Sequence, residues 1–174
     1  MKNTQQIKYP MTMIVLHGLV AVLMIATLVA GWLLDSSDSV MGVHQFLGIA
    51  VLTFAVLRII NRLRQSSGVP KSVNTKATAQ YIAEKIVHGL LYVITLSLPV
   101  VGWLTVNAKG HAVQFFGLFD LPTLLAKNTD LAHQLGDMHE TGANIFVALI
   151  VLHLLGGVVH LFLHKDNVFK RMMP

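Results

Sequence analysis

The stretch MHETGANIFVALIVLHLLGGVVHLFLH, residues 138–164, decides the fold. It is apolar over more than the roughly 20 residues that a helix needs to cross the hydrocarbon core of a bilayer. Yet it carries histidines at 139, 153 and 160. His139 and His153 are fourteen residues apart. At about 100° per residue that spacing falls about 40° short of four full turns, so both rings lie near one face. At about 1.5 Å of rise per residue they stand roughly 21 Å apart, about two-thirds of the hydrocarbon thickness. His160, seven residues further on, continues that face. Ionisable side chains are costly in lipid and are functional by default.

Working outward, the apolar part of this stretch, about 140–163, is joined by three more segments of spanning length: about 11–34, 41–60 and 82–106. The first is longer than the roughly 7–15-residue apolar region of a signal peptide and reads as a retained helix. Residues 65–80, with Ser66, Ser67, Gly68 and Pro70, read as a loop. Residues 107–138 form a longer connection. Its apolar part, 113–125, is broken by Gly117 and Pro122 and is too short to span, so a loop or a short interfacial helix is expected there. Helices satisfy their own backbone groups in lipid, so the fold class is an all-α four-helix transmembrane bundle. It forms a single domain over 1–174, and no internal repeat stands out.

Composition agrees. The 174 residues are 54% hydrophobic and 12% charged, with a mean hydropathy of +0.64. A soluble domain carries about 25% charged residues. There is no cysteine, which excludes disulfides, thiolate metal sites, cysteine nucleophiles and thioether-linked haem. A pI near 9.7 would suit nucleic acid, but the distribution of the charge reads as membrane topology and no nucleic-acid partner is expected. With the N-terminus inside, the inner side holds Lys2, Lys8, Arg58, Arg62, Arg64, Lys71, Lys76, Lys85, Lys165, Lys170 and Arg171. The outer side holds only Lys109 and Lys127. Excess cytoplasmic Lys and Arg places both termini in the cytoplasm. Carboxylates lean outward: Asp35, Asp38, Asp120, Asp130, Asp137 and Glu140 are outer, Glu84 and Asp166 inner. Trp32 and Trp103, near outer helix ends, read as interfacial anchors.

Six of the nine histidines, at 17, 44, 88, 139, 153 and 160, fall in or at the ends of the apolar segments. Chain direction sets their depth. His17 and His88 are inner, and His44 and His139 are outer. Two ligands on one face of the last helix need partners at matching depth, and His44 with His139 and His17 with His153 supply two axial pairs. His88 is inner as well, and on spacing alone it is an alternative to His17. Bis-histidine ligation leaves iron no open position, which suits electron transfer. Glycines near these histidines, Gly48, Gly142, Gly156 and Gly157, would give a flat macrocycle room, though small residues also serve ordinary helix packing. His111, His133 and His164 are expected to be exposed or interfacial.

The chain resembles the bacterial cytochrome b561 family, and in particular its short four-helix form that oxidises superoxide. The residues that carry the resemblance are MHETGAN at 138–144, His153, His160 and KDNVFKRMMP at 165–174. LPVVGW at 98–103, His88, His17 and GVHQFLGI at 42–49 also match. The resemblance covers nearly the whole chain. It implies a bacterial inner-membrane location and two haems b, with His44 and His139 on the outer iron and His17 and His153 on the inner one. It also implies electron exchange with ubiquinone, and it places His160 in the quinone region. The sequence departs from that form at Leu161, where a second histidine is expected, and in its outer loop.

Three functions compete. The first is an oxidoreductase that passes electrons from a periplasmic donor, superoxide or a reduced carrier, to membrane quinone. The acidic outer rim would favour a cationic donor over superoxide, although Lys109 and Lys127 could focus an anion locally. The second is a cytochrome b subunit that docks a hydrogenase or dehydrogenase as its redox partner. The third is a metal-ion carrier, which would gather its ligands near one level of the membrane, unlike the two levels read here.

Overall fold

The computed structural model describes residues 8–33, 38–164 and 168–173. Lys2, Asp35, Lys165 and Asp166 of the charge partition lie outside the described residues, as do Leu34 and parts of the 165–174 motif. The framework is four helices: α1 (Met11–Trp32), α2 (Asp38–Arg64), α3 (Ala79–Ala108) and α4 (Thr129–Val159). All four are long and apolar enough to cross a membrane. Their outer faces present bare apolar side chains, such as Val22 at 66%, Val93 at 61% and Leu152 at 53% exposure. Such a surface is stable against lipid, not water.

α1 packs chiefly on α2 and α3 on α4, with α2 joining the two pairs. The central core takes one residue from each helix: Met24, Val51, Leu98 and Phe146. Met24 lies seven residues after His17, Val51 seven after His44, and Phe146 seven from both His139 and His153. At about 1.5 Å of rise per residue the packed layer lies roughly 10 Å from each histidine level. Threonines inside the bundle return their hydroxyls to the preceding turn, Thr27 to Leu23 O and Thr95 to Leu91 O, so they leave no unsatisfied donor in the apolar interior.

Three helices differ at their ends from the hydropathy reading. α4 begins at Thr129, well before the apolar run, because Asn128 caps it by accepting from Leu131 N at 3.0 Å. Its first turns are polar, so hydropathy does not register them. At about 1.5 Å per residue, the 35 residues from Thr129 to Leu163 reach about 50 Å, beyond the hydrocarbon core. α3 starts at a Thr78 cap and stops at Gly110, whose φ of +90° ends the helix. α2 carries its helix through Arg64.

The 113–125 segment forms neither a helix nor a plain loop. It is a β-hairpin, β1 (Gln114–Phe115) paired antiparallel with β2 (Phe119–Asp120). The turn runs through Phe116 and Gly117, both with positive φ. Phe116 meets Phe46 of α2 edge-on at 5.2 Å, which seats the hairpin over the His44 end of the bundle. Asn107, 1% exposed, ties the connection to α3. Its side chain donates to His111 O and accepts from Leu124 N.

At the other end the termini meet. Tyr9 N donates to Arg171 O at 3.1 Å, and the Arg171 guanidinium donates to Lys71 O at 3.0 Å. Thr12 of α1 accepts from Gln65, just past the end of α2, at 2.8 Å. Glu84 receives Ser72 and Asn74, pinning the loop before α3.

Candidate functional site

The structure brings His44 of α2 to His139 of α4, with ring centroids 5.9 Å apart and planes at 79°. It brings His17 of α1 to His153 of α4, at 6.3 Å and 77°. An imidazole nitrogen sits about 2.0–2.1 Å from a bound first-row metal, so with about 1.1 Å from nitrogen to ring centre, two axial rings on one metal have centroids about 6.3 Å apart. Both pairs match that span. His88 also faces His153, but at 5.1 Å, tighter than two rings sharing one metal require. His160 caps α4 and opens a π-helical turn, His160–His164. His111 and His133 are exposed, as expected; the His164 side chain lies outside the description.

At the hairpin end each ring is seated in the same way. His44 Nδ1 lies 3.0 Å from Thr27 O, and His139 Nδ1 lies 3.1 Å from Leu98 O. A carbonyl oxygen only accepts, so in both rings Nδ1 must carry the proton and donate. That leaves Nε2 with its lone pair free for a metal, the arrangement that hydrogen-bonding backbone carbonyls impose on metal-binding histidines.

A glycine lies one turn beyond each accepting carbonyl. A Cβ at Gly31 would meet His44 Cε1 at 3.2 Å, and a Cβ at Gly102 would meet His139 Cε1 at 3.2 Å. These two glycines were not singled out from the sequence. Of those that were, Gly142 and Gly157 seat protein instead: a Cβ would meet Leu98 Cδ2 at 2.7 Å and Phe169 Cζ at 2.6 Å. Only Gly48 and Gly156 keep open space, with no protein atom within 4 Å of an added Cβ.

The matching seats expose an internal repeat missed in the sequence reading. His17 and His88 each precede a Gly-Trp pair, Gly31-Trp32 and Gly102-Trp103, by fourteen residues. In the following helices, His44 precedes Arg58 and His139 precedes His153 by the same fourteen. The α1–α2 and α3–α4 pairs therefore repeat one plan, with Arg58 in the place of His153. The two tryptophans differ in surroundings. Trp32 is 67% exposed, as an interfacial anchor should be, whereas Trp103 is half-buried and its Nε1 has no hydrogen-bond partner.

The second level is electrostatically different. Among the described residues no hydrogen bond reaches the rings of His17 or His153. Instead Arg58 lies within electrostatic reach of His17, His88 and His153. Its guanidinium sits 4.8 Å from the centre of the Tyr92 ring, with Arg62 at 5.9 Å from the same ring. Among the described residues no group of three or more His, Cys, Asp or Glu side chains is arranged around one metal ion. Paired imidazoles, neutral and without thiolate, are a donor set that suits haem iron.

Four membrane-spanning helices holding paired imidazoles inside the bundle define a membrane cytochrome of the b type. The chain belongs to the prokaryotic cytochrome b561 family, whose family model matches residues 8–174. It is 29% identical to cytochrome b561 homolog 1 of Escherichia coli K12 over 174 residues, covering 96% of this chain and 97% of the relative. It is 31% identical to the probable superoxide oxidase CybB of Yersinia pestis over 134 residues, covering 76% and 73%. Cytochrome b561 homolog 2 of E. coli K12 is 29% identical over 75% of this chain and 68% of its own length. The protein is thus a haem b-binding, multi-pass electron-transfer protein of the bacterial inner membrane, as the resemblance implied.

Proposed function

We propose that the chain holds two haems b and carries electrons across the membrane, from a donor at the hairpin end to quinone at the end where the termini meet. The observation that carries this reading is the pair of histidine couples, 5.9 and 6.3 Å between ring centres, at levels fourteen residues apart on α4. His44 and His139 ligate one iron and His17 and His153 the other. The excess of basic residues at the termini end sets that end in the cytoplasm.

Bound haem supplies one-electron transfer between ferric and ferrous iron, and the chain's residues supply the rest. Thr27 and Leu98 carbonyls fix the tautomer of His44 and His139. Gly31 and Gly102 let the rings lie against α1 and α3. The Met24–Val51–Leu98–Phe146 layer excludes water between the two levels. Bis-histidine ligation keeps small molecules off the metal, so the donor reacts at the rim and not on iron. His160, at the end of α4, is the residue we assign to the quinone, where its imidazole can hold a proton near a quinone oxygen.

The donor we favour is superoxide. Its support is the likeness to a relative named a probable superoxide oxidase. Two superoxide ions would each give one electron and leave as dioxygen, while one ubiquinone takes both electrons and two protons to become quinol.

Reduced-minus-oxidised spectra of purified protein test the ligand scheme. Wild type should carry two haems b per chain, His153→Ala one, and His88→Ala two. Haem-free but folded wild type would bring back the metal-carrier reading. Loss of a haem in His88→Ala with retention in His17→Ala would exchange those two residues. Recovery of a stoichiometric iron–sulfur partner on purification would replace the stand-alone oxidoreductase by a docking subunit.

A further inference from the structure

Arg58 is the residue that the repeat leaves unexplained. It stands on α2 fourteen residues after His44, as His153 stands on α4 fourteen after His139. α2 and α4 run in the same direction, so Arg58 lies at the depth of the His17–His153 pair. Its charge is within electrostatic reach of both rings and of His88. A guanidinium at that depth is costly unless an anion or a π face meets it. Tyr92 provides the π face on one side.

No carboxylate among the described residues provides the anion. Among the described residues the one ion pair is Lys85–Glu84. Arg62, a like charge four residues on, shares the Tyr92 ring, and like charges at that spacing repel. Two cations gathered on one ring beside a pair of metal-binding histidines form a site for an anionic oxygen group.

We infer that Arg58, held on Tyr92 and backed by Arg62, binds a carboxylate of the haem seated between His17 and His153, and thereby sets that haem at the higher potential of the two. This rests on the two-haem reading above. A lipid phosphate offers the same chemistry, but it belongs to the interface. Arg58 lies at ligand depth, and Arg62 and Arg64 are the residues one to two turns nearer the headgroups.

The effect on potential has a definite sign. A fixed positive charge near iron favours the ferrous state, which has gained an electron. At the other level the Thr27 and Leu98 carbonyls accept from His44 and His139. That raises ligand basicity and favours the ferric state. Electrons then run downhill from the hairpin end to the Arg58 end.

The test is a redox titration of both haems in wild type, Arg58→Gln, Arg58→Lys, Tyr92→Leu and the exposed control Arg64→Gln. Each is measured in nanodiscs of phosphatidylcholine alone and of phosphatidylcholine with phosphatidylglycerol. Arg58→Gln should lower the reduction equilibrium constant of one haem at least tenfold, about 59 mV for one electron, and leave the other in place. The shift should appear in both lipids, with Arg58→Lys keeping more than half of the wild-type value, Tyr92→Leu shifting the same haem, and Arg64→Gln shifting neither. Loss of one haem in Arg58→Gln but not in Arg58→Lys supports the site equally. Two bound haems with unmoved potentials in Arg58→Gln, or loss of a haem in both Arg58 variants, would overturn it. A shift confined to phosphatidylglycerol would assign the arginines to lipid and overturn the haem carboxylate. Wild type with fewer than two haems would fail the underlying reading before any variant is compared.

Discussion

Gly102→Ala probes the ligand seat most directly. The added Cβ would stand 3.2 Å from His139 Cε1 and 3.4 Å from Nδ1. Comfortable carbon contacts lie at about 3.5–4.0 Å, so the ring must retreat by roughly 0.3–0.8 Å. It has little room to do so. The Nδ1 to Leu98 O bond is already 3.1 Å, near the long end of the N–H···O range, and a further half-ångström along that bond breaks it. Losing it costs about 0.5–1.5 kcal/mol, and overpacking costs about 1–3 kcal/mol. The gain in helix propensity from Gly to Ala returns only about 1 kcal/mol. The net is a loss of about 2 kcal/mol in fold stability. The larger consequence is at the metal, where loss of an orienting partner typically weakens binding about 10–100-fold. Haem titration of apo-protein, followed by absorbance, should show one of two sites weakened by that factor, and thermal unfolding should fall. Gly31→Ala should act alike through His44. Gly42→Ala is the control, since its Cβ meets no atom within 4 Å. Two tight haems and control-like unfolding in Gly102→Ala would refute the seat.

Other consequences follow from the same contacts. Gly157→Ala sets a Cβ 2.6 Å from Phe169 Cζ, so it should displace the turn Val168–Met172 and cost about 1–3 kcal/mol; faster proteolysis near the C-terminus would register it. Asn107→Ala removes the bonds to Leu124 N and His111 O, at about 0.5–1.5 kcal/mol for each. Hydrogen exchange should then quicken in residues 111–128 while haem content stays at wild type. If superoxide approaches the carboxylate-rich hairpin end, its oxidation should speed up as salt rises from low ionic strength toward 0.1 M, where the screening length shortens to about 10 Å. A rate that falls with salt would instead indicate local capture by Lys109 and Lys127.

The helix count, lipid residence and two histidine depths were legible in the chain. They depend on local quantities: the apolar run that spans a bilayer, the rise per residue, and the direction in which each helix runs. His44, His139, His17 and His153 could be sorted by level on that basis. The inner partner of His153 could not be settled that way. Whether His17 or His88 shares a metal with His153 turns on the rotation of α1 and α3 about their axes, and that is set by packing across the bundle. The same holds for Gly31 and Gly102. Their common Gly-Trp signature is in the sequence, but its meaning appears only when a ring from the next helix lies on the glycine. α4 outran its apolar segment because a cap and polar first turns carry no hydropathy. Arg58 read from the sequence as one more basic residue at an inner helix end. That its charge reaches His17, His88 and His153 was decided by the tertiary structure, because depth alone does not say what a side chain lies near.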